Sequence, residues 1–237
     1  MKPSGTLVTS LLLTLAFIAF LLVKKETYFH KNPAPVILYQ NVPPVGYKAF
    51  EVRLPNEKII PGPAGQSVTW DFSKVDVPPV QPDTANYLKV VSLLSSPEGR
   101  AGSGLGMEGK MGNALVNLYF VLDSFLLADT IYVLPGNQML RWLHPKPELK
   151  FPFSYSDTLV ASNQKQGGPI HSDTVIYDGY GDLKTPFGNY KDVVRLHYLE
   201  ANGEPNYEWW TVHPFFPLFC YSQSAGIKFY IPETVKK

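Results

Sequence analysis

The stretch 173–201, DTVIYDGYGDLKTPFGNYKDVVRLHYLEA, decides the fold. Two runs rich in β-branched and aromatic residues, Asp173–Thr185 and Tyr190–Ala201, flank Pro186-Phe187-Gly188-Asn189. Proline presets a turn, and Gly and Asn tolerate positive φ, so the joint reads as the corner of an antiparallel hairpin. In the second arm Tyr190, Val194, Leu196 and Tyr198 share parity, while Lys191, Arg195 and His197 face the other way. That alternation predicts one buried face and one wetter face. In the first arm, YDGYGD at 177–182 places two glycines between Asp178 and Asp182. Glycines within a strand mark a bulge or a close backbone approach. The oxygen-ligand spacing of a calcium loop is absent.

Outward from the hairpin the same signals recur. QSVTWDF at 66–72 alternates Val68, Trp70 and Phe72 with polar neighbours. YLKVVSLL at 87–94 is short and β-branched, and Asn206–Val212 and Gly226–Ile231 read as further strands. Leu115–Leu122 and Phe125–Leu134 compete with a single helix, but Gly112 and Pro135-Gly136 bound them. Their Val, Tyr and Phe content favours strands. Short strands separated by turns every ~8–12 residues predict an all-β chain, an antiparallel β-sandwich or open barrel. The composition agrees: 14% of the 237 residues are aromatic, and 22 Pro and 18 Gly interrupt any long helix. A formal charge of +1 excludes a strongly basic nucleic-acid binder. The single Cys220 excludes an intrachain disulfide and a Cys-rich zinc site. It lies in FFPLFCYSQ, where a buried core thiol is expected.

The N-terminus departs from this pattern. Thr6–Val23, TLVTSLLLTLAFIAFLLV, carries no charge between Lys2 and Lys24. As a hydrophobic helix it would span about 27 Å, near the ~30 Å of bilayer hydrocarbon. It reads as a signal anchor or as a cleaved signal peptide. The run is long for a signal peptide, and Phe17 occupies a position where cleavage after Ala19 wants a small residue. Three domains are expected: 1–25 as leader, 26–63 as a proline-rich arm or stalk, and 64–237 as the β body. The arm holds seven prolines, with extended pieces at Val36–Tyr39 and Ala49–Leu54. It either stands off as a spacer or packs on the body as an ordered strand. Without Lys2, Lys24 and Lys25, the 21 basic residues fall to 18 against 20 acidic, leaving a net charge of −2 beyond the leader.

Few motifs carry chemistry. Gly99–Gly112, GRAGSGLGMEGKMG, has six glycines and touches both phosphate-loop and dinucleotide patterns. Met111 stands where the magnesium-holding hydroxyl belongs, and a strand rather than a helix is expected next, so the run reads as a mobile glycine loop. His30, His144, His171, His197 and His213 are scattered without metal-ligand spacing. Ser222-Gln-Ser224-Ala-Gly226 lacks the leading glycine of a nucleophile elbow. Asp71, Asp157, Asp173 and Asp192 are carboxylates whose relevant spacing is spatial. No catalytic, cofactor-binding or metal-binding residue is assigned, and no cofactor is expected. Trp209-Trp210 in YEWWTV is the candidate partner contact: strand neighbours face opposite sides, so one ring should be buried and one outward.

The segments PGPAGQSVTWDFS (61–73), PELKFPFSYSDT (147–158), YDGYGDLKTPFGNYKDVVRLHY (177–198) and YEWW (207–210) resemble a body found in uncharacterised exported β-sandwich proteins of Bacteroidota-type bacteria. The resemblance covers Pro61 to Ile231, and Leu183 to Arg195 carries a pattern shared with other bacterial envelope β proteins. It implies an exported sandwich and transfers no activity. The sorting tail common in that group does not follow Ile231, which favours the periplasm or membrane face. The expectation is therefore a non-enzymatic domain of the periplasm or cell envelope, anchored to the inner membrane by residues 6–23 if uncleaved. Its partner would be an envelope protein, a glycan or a lipid. A hydrolase acting on envelope polymers and a lipid-type carrier are the alternatives. N-terminal sequencing of fractionated cells separates the leader readings. Met1 in the membrane fraction identifies an anchor, and a start near residue 20–26 identifies a signal peptide.

Overall fold

A computed structural model describes residues 33–79, 86–92, 105–111, 114–120, 125–128, 132–134, 138–140, 143, 146–165, 167–200 and 203–233. The expected N-terminal helix and the start of the glycine run, 99–104, lie outside these residues. In chain order the strands are β1 (Lys48–Leu54), β2 (Gly65–Asp71), β3 (Asn86–Ser92), β4 (Leu105–Met111), β5 (Ala114–Phe120), β6 (Phe125–Ala128), β7 (Tyr132–Leu134), β8 (Gln138–Leu140), β9 (Lys146–Lys150), β10 (Thr158–Gln164), β11 (Ile170–Thr185), β12 (Gly188–Leu199), β13 (Pro205–Val212), β14 (Phe215–Ser222) and β15 (Gly226–Pro232). The described residues are all-β apart from a single 3-10 turn at Tyr39–Asn41, as their alternation requires. No helix among the described residues is long and apolar enough to cross a membrane.

The strands form a 13-stranded sheet in the order β10-β11-β12-β13-β14-β15-β1-β3-β4-β5-β6-β9, with β2 beside β11 and β7-β8 apart as a ribbon. Neighbours along this order pair antiparallel, but β2 pairs parallel to β11, so the sheet is mixed. The sheet is not closed into a barrel. Its end strands β9 and β10 approach one another without a shared ladder. Leu143 N donates to Gln164 O at 2.8 Å beside that gap.

The β11-β12 hairpin lies where expected, with a tighter corner: Thr185 pairs with Gly188 and only Pro186-Phe187 turn. The ladder shifts register between Tyr177 and Gly179 and again between Gly181 and Leu183. The YDGYGD glycines thus serve both a bulge and a close approach. A β-carbon on Gly181 would fall 1.8 Å from the Val68 carbonyl oxygen, and one on Gly179 would fall 2.9 Å from the Trp70 ring. Only glycine lets β2 lie alongside here. Opposite the second shift, Asp192 takes φ +54. This extra residue moves Tyr190 to the face of Val193, away from Val194 and Leu196, so the expected four-residue parity breaks at its first member.

Two apolar clusters pack on opposite faces. One joins Trp70, Phe72, Leu183, Val193, Trp209, Phe219 and Phe229. The other gathers Ile37, Phe151, Phe153, Tyr177, Val194, Leu196, Trp210 and Phe215. Each fully buried large side chain contributes about 1.5–3 kcal/mol. Residues 34–63 are integral to the body. β1 is an interior strand between β15 and β3, and Ile37 exchanges two 2.9 Å backbone hydrogen bonds with Phe153. Tyr177 Oη donates to Pro35 O at 2.9 Å.

Two other expectations change. Residues 105–111 of the glycine run form β4, hydrogen-bonded on both edges to β3 and β5. A following strand leaves no helix N-terminus to cradle a phosphate. β14, which the sequence reading passed over, carries Pro214 before it and Pro217 within it. Pro217 sits at the register shift between Trp209 and Trp210, where a missing N–H is tolerated.

The wetter face expected for the hairpin is instead sealed around a cation. Arg195 is 2% exposed. Its Nε and Nη2 donate to Asp178 Oδ1 and Oδ2 at 2.8 and 2.9 Å. Its Nη1 donates to the carbonyls of Pro61 and Gly62, each at 3.0 Å. The guanidinium lies 5.4 Å from the Trp70 ring centroid and 5.1 Å from that of Tyr207. Asp178→Ala would strand a buried charge and should cost about 3–5 kcal/mol in urea denaturation. The double variant Asp178→Leu/Arg195→Met should recover a large part of that loss. Equal stability of Asp178→Ala and wild type would contradict this account.

Candidate functional site

Along three adjacent strands the inward face changes character from one end to the other. On β12 it runs Val194, Leu196, Tyr198, with Glu200 just beyond the strand; on β13, Val212, Trp210, Glu208, Asn206; on β11, Tyr177, Val175, Asp173, His171. The apolar end packs against the N-terminal arm. The polar end does not pack shut. It lines a cavity of about 700 Å³ that opens to solvent. Strands from both ends of the sheet order contribute to its wall, so the sheet curls around it.

Among the described residues the wall carries Glu51, Glu148, Asp173, Glu200 and Glu208 against Lys146, Lys165 and Lys228. Cross-strand pairing sets Glu208, Cys220 and Lys228 in one row over β13, β14 and β15. Glu208 Oε2 accepts from Trp210 Nε1 at 2.9 Å, and Glu208 also bonds the Tyr198 hydroxyl and the Cys220 thiol. Across the cavity on β9, Lys146 Nζ lies 3.2 Å from Glu148 Oε1 and 2.9 Å from Asp173 Oδ2. Asn163 Nδ2 donates to the same Asp173 oxygen at 2.8 Å. Glu51 is paired with Arg53.

Burial governs the ionisation of this wall. It pushes Glu148 above the ordinary glutamate range despite the pull of Lys146. Glu208 is also raised by burial, against the hydrogen bond from Trp210 and the attraction of Lys228. Burial draws Lys146 down, but Glu148 and Asp173 outweigh it and hold the ammonium above its usual value. The Cys220 thiol is pushed well up by burial and by Glu208, which keeps it from acting as a thiolate. Tyr198 and Tyr230 are likewise raised, chiefly by burial. The site therefore combines buried carboxyls that hold a proton more readily than free glutamates, an ammonium held by two acids, and phenolic hydroxyls. That set suits hydrogen bonding to a polar ligand and proton transfer at a carboxyl.

The residues singled out in the sequence scatter. Both tryptophans are buried: Trp209 is 0% exposed and Trp210 5%. The expected outward ring is absent because residues of 59–77 cover the face that Trp209 occupies. Trp70 and Phe72 stand edge-on to Trp209 at 6.1 and 5.2 Å. Trp210 lines the cavity and stacks on Phe215 at 4.5 Å. Of the four aspartates, only Asp173 reaches the cavity. Asp71 accepts from Ser73, Asp157 accepts from Ser154 N, and Asp192 sits at the bulge. His171 lines the cavity, His197 stacks on Tyr207 at 4.4 Å, and His213 bonds Asn41. His30 and His144 lie outside the described residues. Ser222 and Ser224 meet at 3.2 Å in the β14-β15 turn, an antiparallel corner unlike a nucleophile elbow. No metal-holding group occurs among the described residues. The sequence reading missed Glu148 and Glu208. The available signal was Glu208's parity with Trp210 and Val212, an acid in the inward register of a strand.

No family model, curated protein or solved structure matches the chain.

The raised carboxyls have a measurable consequence. The folded pKa of Glu208 lies above the ordinary 4.5, so the native state holds this proton more tightly than the unfolded chain. Its contribution to stability is complete below the unfolded value and is lost as pH rises through the folded value. Glu208→Gln keeps a neutral side chain throughout. Its melting temperature relative to wild type should climb as pH rises above 4.5; parallel curves would contradict the assignment.

Proposed function

We propose that this chain is an exported, envelope-associated β domain that binds a polar, glycan-type ligand inside its curled sheet. The observation that carries this reading is the cavity of about 700 Å³ walled by carboxyls, lysines, tyrosine hydroxyls and the Trp210 ring. Ligand sites of small molecules have volumes of about 300–1,000 Å³. Sugar hydroxyls can satisfy the wall's donors and acceptors, and an indole offers their C–H faces an apolar partner. An acyl chain would leave the same polar groups without water or partners, which weighs against a lipid-like cargo. The uncharged Thr6–Val23 segment supports export and attachment to an envelope membrane.

Glu148 and Glu208 favour a second reading, a hydrolase of envelope or extracellular polymers. A carboxyl whose pKa burial raises is what a general acid requires, and both groups line one solvent-open cavity.

Titration of the full chain with soluble envelope-type oligosaccharides, followed by tryptophan fluorescence and calorimetry, tests both readings. Binding is expected, and Tyr198→Phe, which removes a hydroxyl from the wall, should weaken it by about tenfold. Turnover of the oligosaccharide that is lost in both Glu148→Gln and Glu208→Gln would establish the hydrolase. Binding of a fluorescent fatty acid with no response to any saccharide would overturn the glycan reading.

A further inference from the structure

We infer that the ligand of this cavity carries a protonated amine, seated between Glu148 of β9 and Glu208 of β13. The inference rests on the reading of the cavity as a ligand site and narrows the ligand's chemistry. Those two strands lie far apart in the sheet order, yet both carboxyl groups line one solvent-open cavity, close enough for the Glu208 charge to act on Glu148.

The charges on the wall do not balance. Five carboxylates meet three lysines and His171 among the described lining residues. Arg53 answers Glu51. On the β9 side, one ammonium serves two carboxylates, since Lys146 bridges Glu148 and Asp173. Glu148 and Glu208 also repel one another when ionised. Glu148 shares its lysine with Asp173, and Glu208 is attracted by Lys228, so ionising both glutamates in this half-buried wall favours a further cation between them. A ligand ammonium supplies that cation and three donors in a compact group.

A third acceptor points the same way, independently of charge. Asn206 lines the cavity beside Glu208 on β13. Its Nδ2 donates to Glu200 Oε1 at 2.8 Å, which fixes the orientation of the amide. Its Oδ1 is buried without a hydrogen-bond partner. A buried acceptor left open in a ligand cavity calls for a donor from the ligand. The deficit in this wall is thus in donors and positive charge, which a neutral sugar meets only in part.

Calorimetry of the full chain with three disaccharides decides the matter: one of glucosamine, its N-acetylated form, and cellobiose. These share a size and differ in whether an ammonium, an amide or a hydroxyl is presented. The amine form should bind about tenfold or more tighter than both neutral forms. The advantage should shrink to about twofold or less in Glu148→Gln/Glu208→Gln. Equal binding of all three sugars by wild type would overturn the amine inference and leave the glycan reading standing. No binding of any sugar, with capture of a simple alkyl diamine, would sustain the amine and remove the glycan. Failure of both probes would sink the two readings together. The wild-type ligand series decides the inference even if the double variant does not fold.

Discussion

The interior of this protein is held open by carboxyl groups that a sheet cannot pack against one another. Moving an ionised carboxylate out of water costs several kcal/mol even after relaxation. Burial raises the pKa of Glu148 and Glu208, Lys146 and Lys228 offset part of that cost, and Asp173 shares Lys146 and Asn163. Such groups need hydrogen-bond partners and space. The inward face can therefore close at its apolar end, around Ile37, Phe153 and Trp210, but not at its polar end. One sheet thus carries both a core and a cavity on a single face, with the strand direction separating them.

The outer face solves a different problem. The region around Gly179 and Gly181 would be an exposed edge of β11. The chain covers it with β2, admitted by the two glycines, and ties the preceding segment down through Arg195. The guanidinium is acceptable there because Asp178 and two carbonyls take up its donors and three aromatic rings surround it. Arg195, rather than a second apolar layer, specifies where residues 61–63 lie. Trp70 adds to the tether by donating to Pro63 O at 3.1 Å.

These features explain which parts of the chain could be read directly. β3, β13 and β15 follow their alternation because no residue is inserted into them, and β2 and β12 follow theirs beyond the extra residues Ser67 and Asp192. The parity of Tyr190 failed at Asp192, since one extra residue exchanges the faces of everything beyond it. Residues 105–111 looked like loop because glycine has low strand propensity, yet pairing on both edges overrides that preference. β14 was hidden by prolines that a bulge accommodates. Trp209 and Trp210 do face opposite sides, as neighbours in a strand must. That Trp209 is covered follows from residues 59–77, remote in sequence, reaching that face.

The sequence alone determined that the described body is all-β, that a hairpin turns within Pro186–Asn189, and that the YDGYGD glycines mark a bulge or a close approach, because alternation and turn chemistry depend on neighbours a few residues apart. That the glycines admit β2 was decided by Val68 and Trp70, remote along the chain. Tertiary structure alone decided that β1 belongs inside the sheet and that Arg195 is buried. It also decided that Glu148 and Glu208 share one cavity. Alternation says which residues point the same way along a strand, but not which strands meet when the sheet curls. That β9 and β13 line one cavity is set by sheet order and twist, to which residues distant along the chain contribute together.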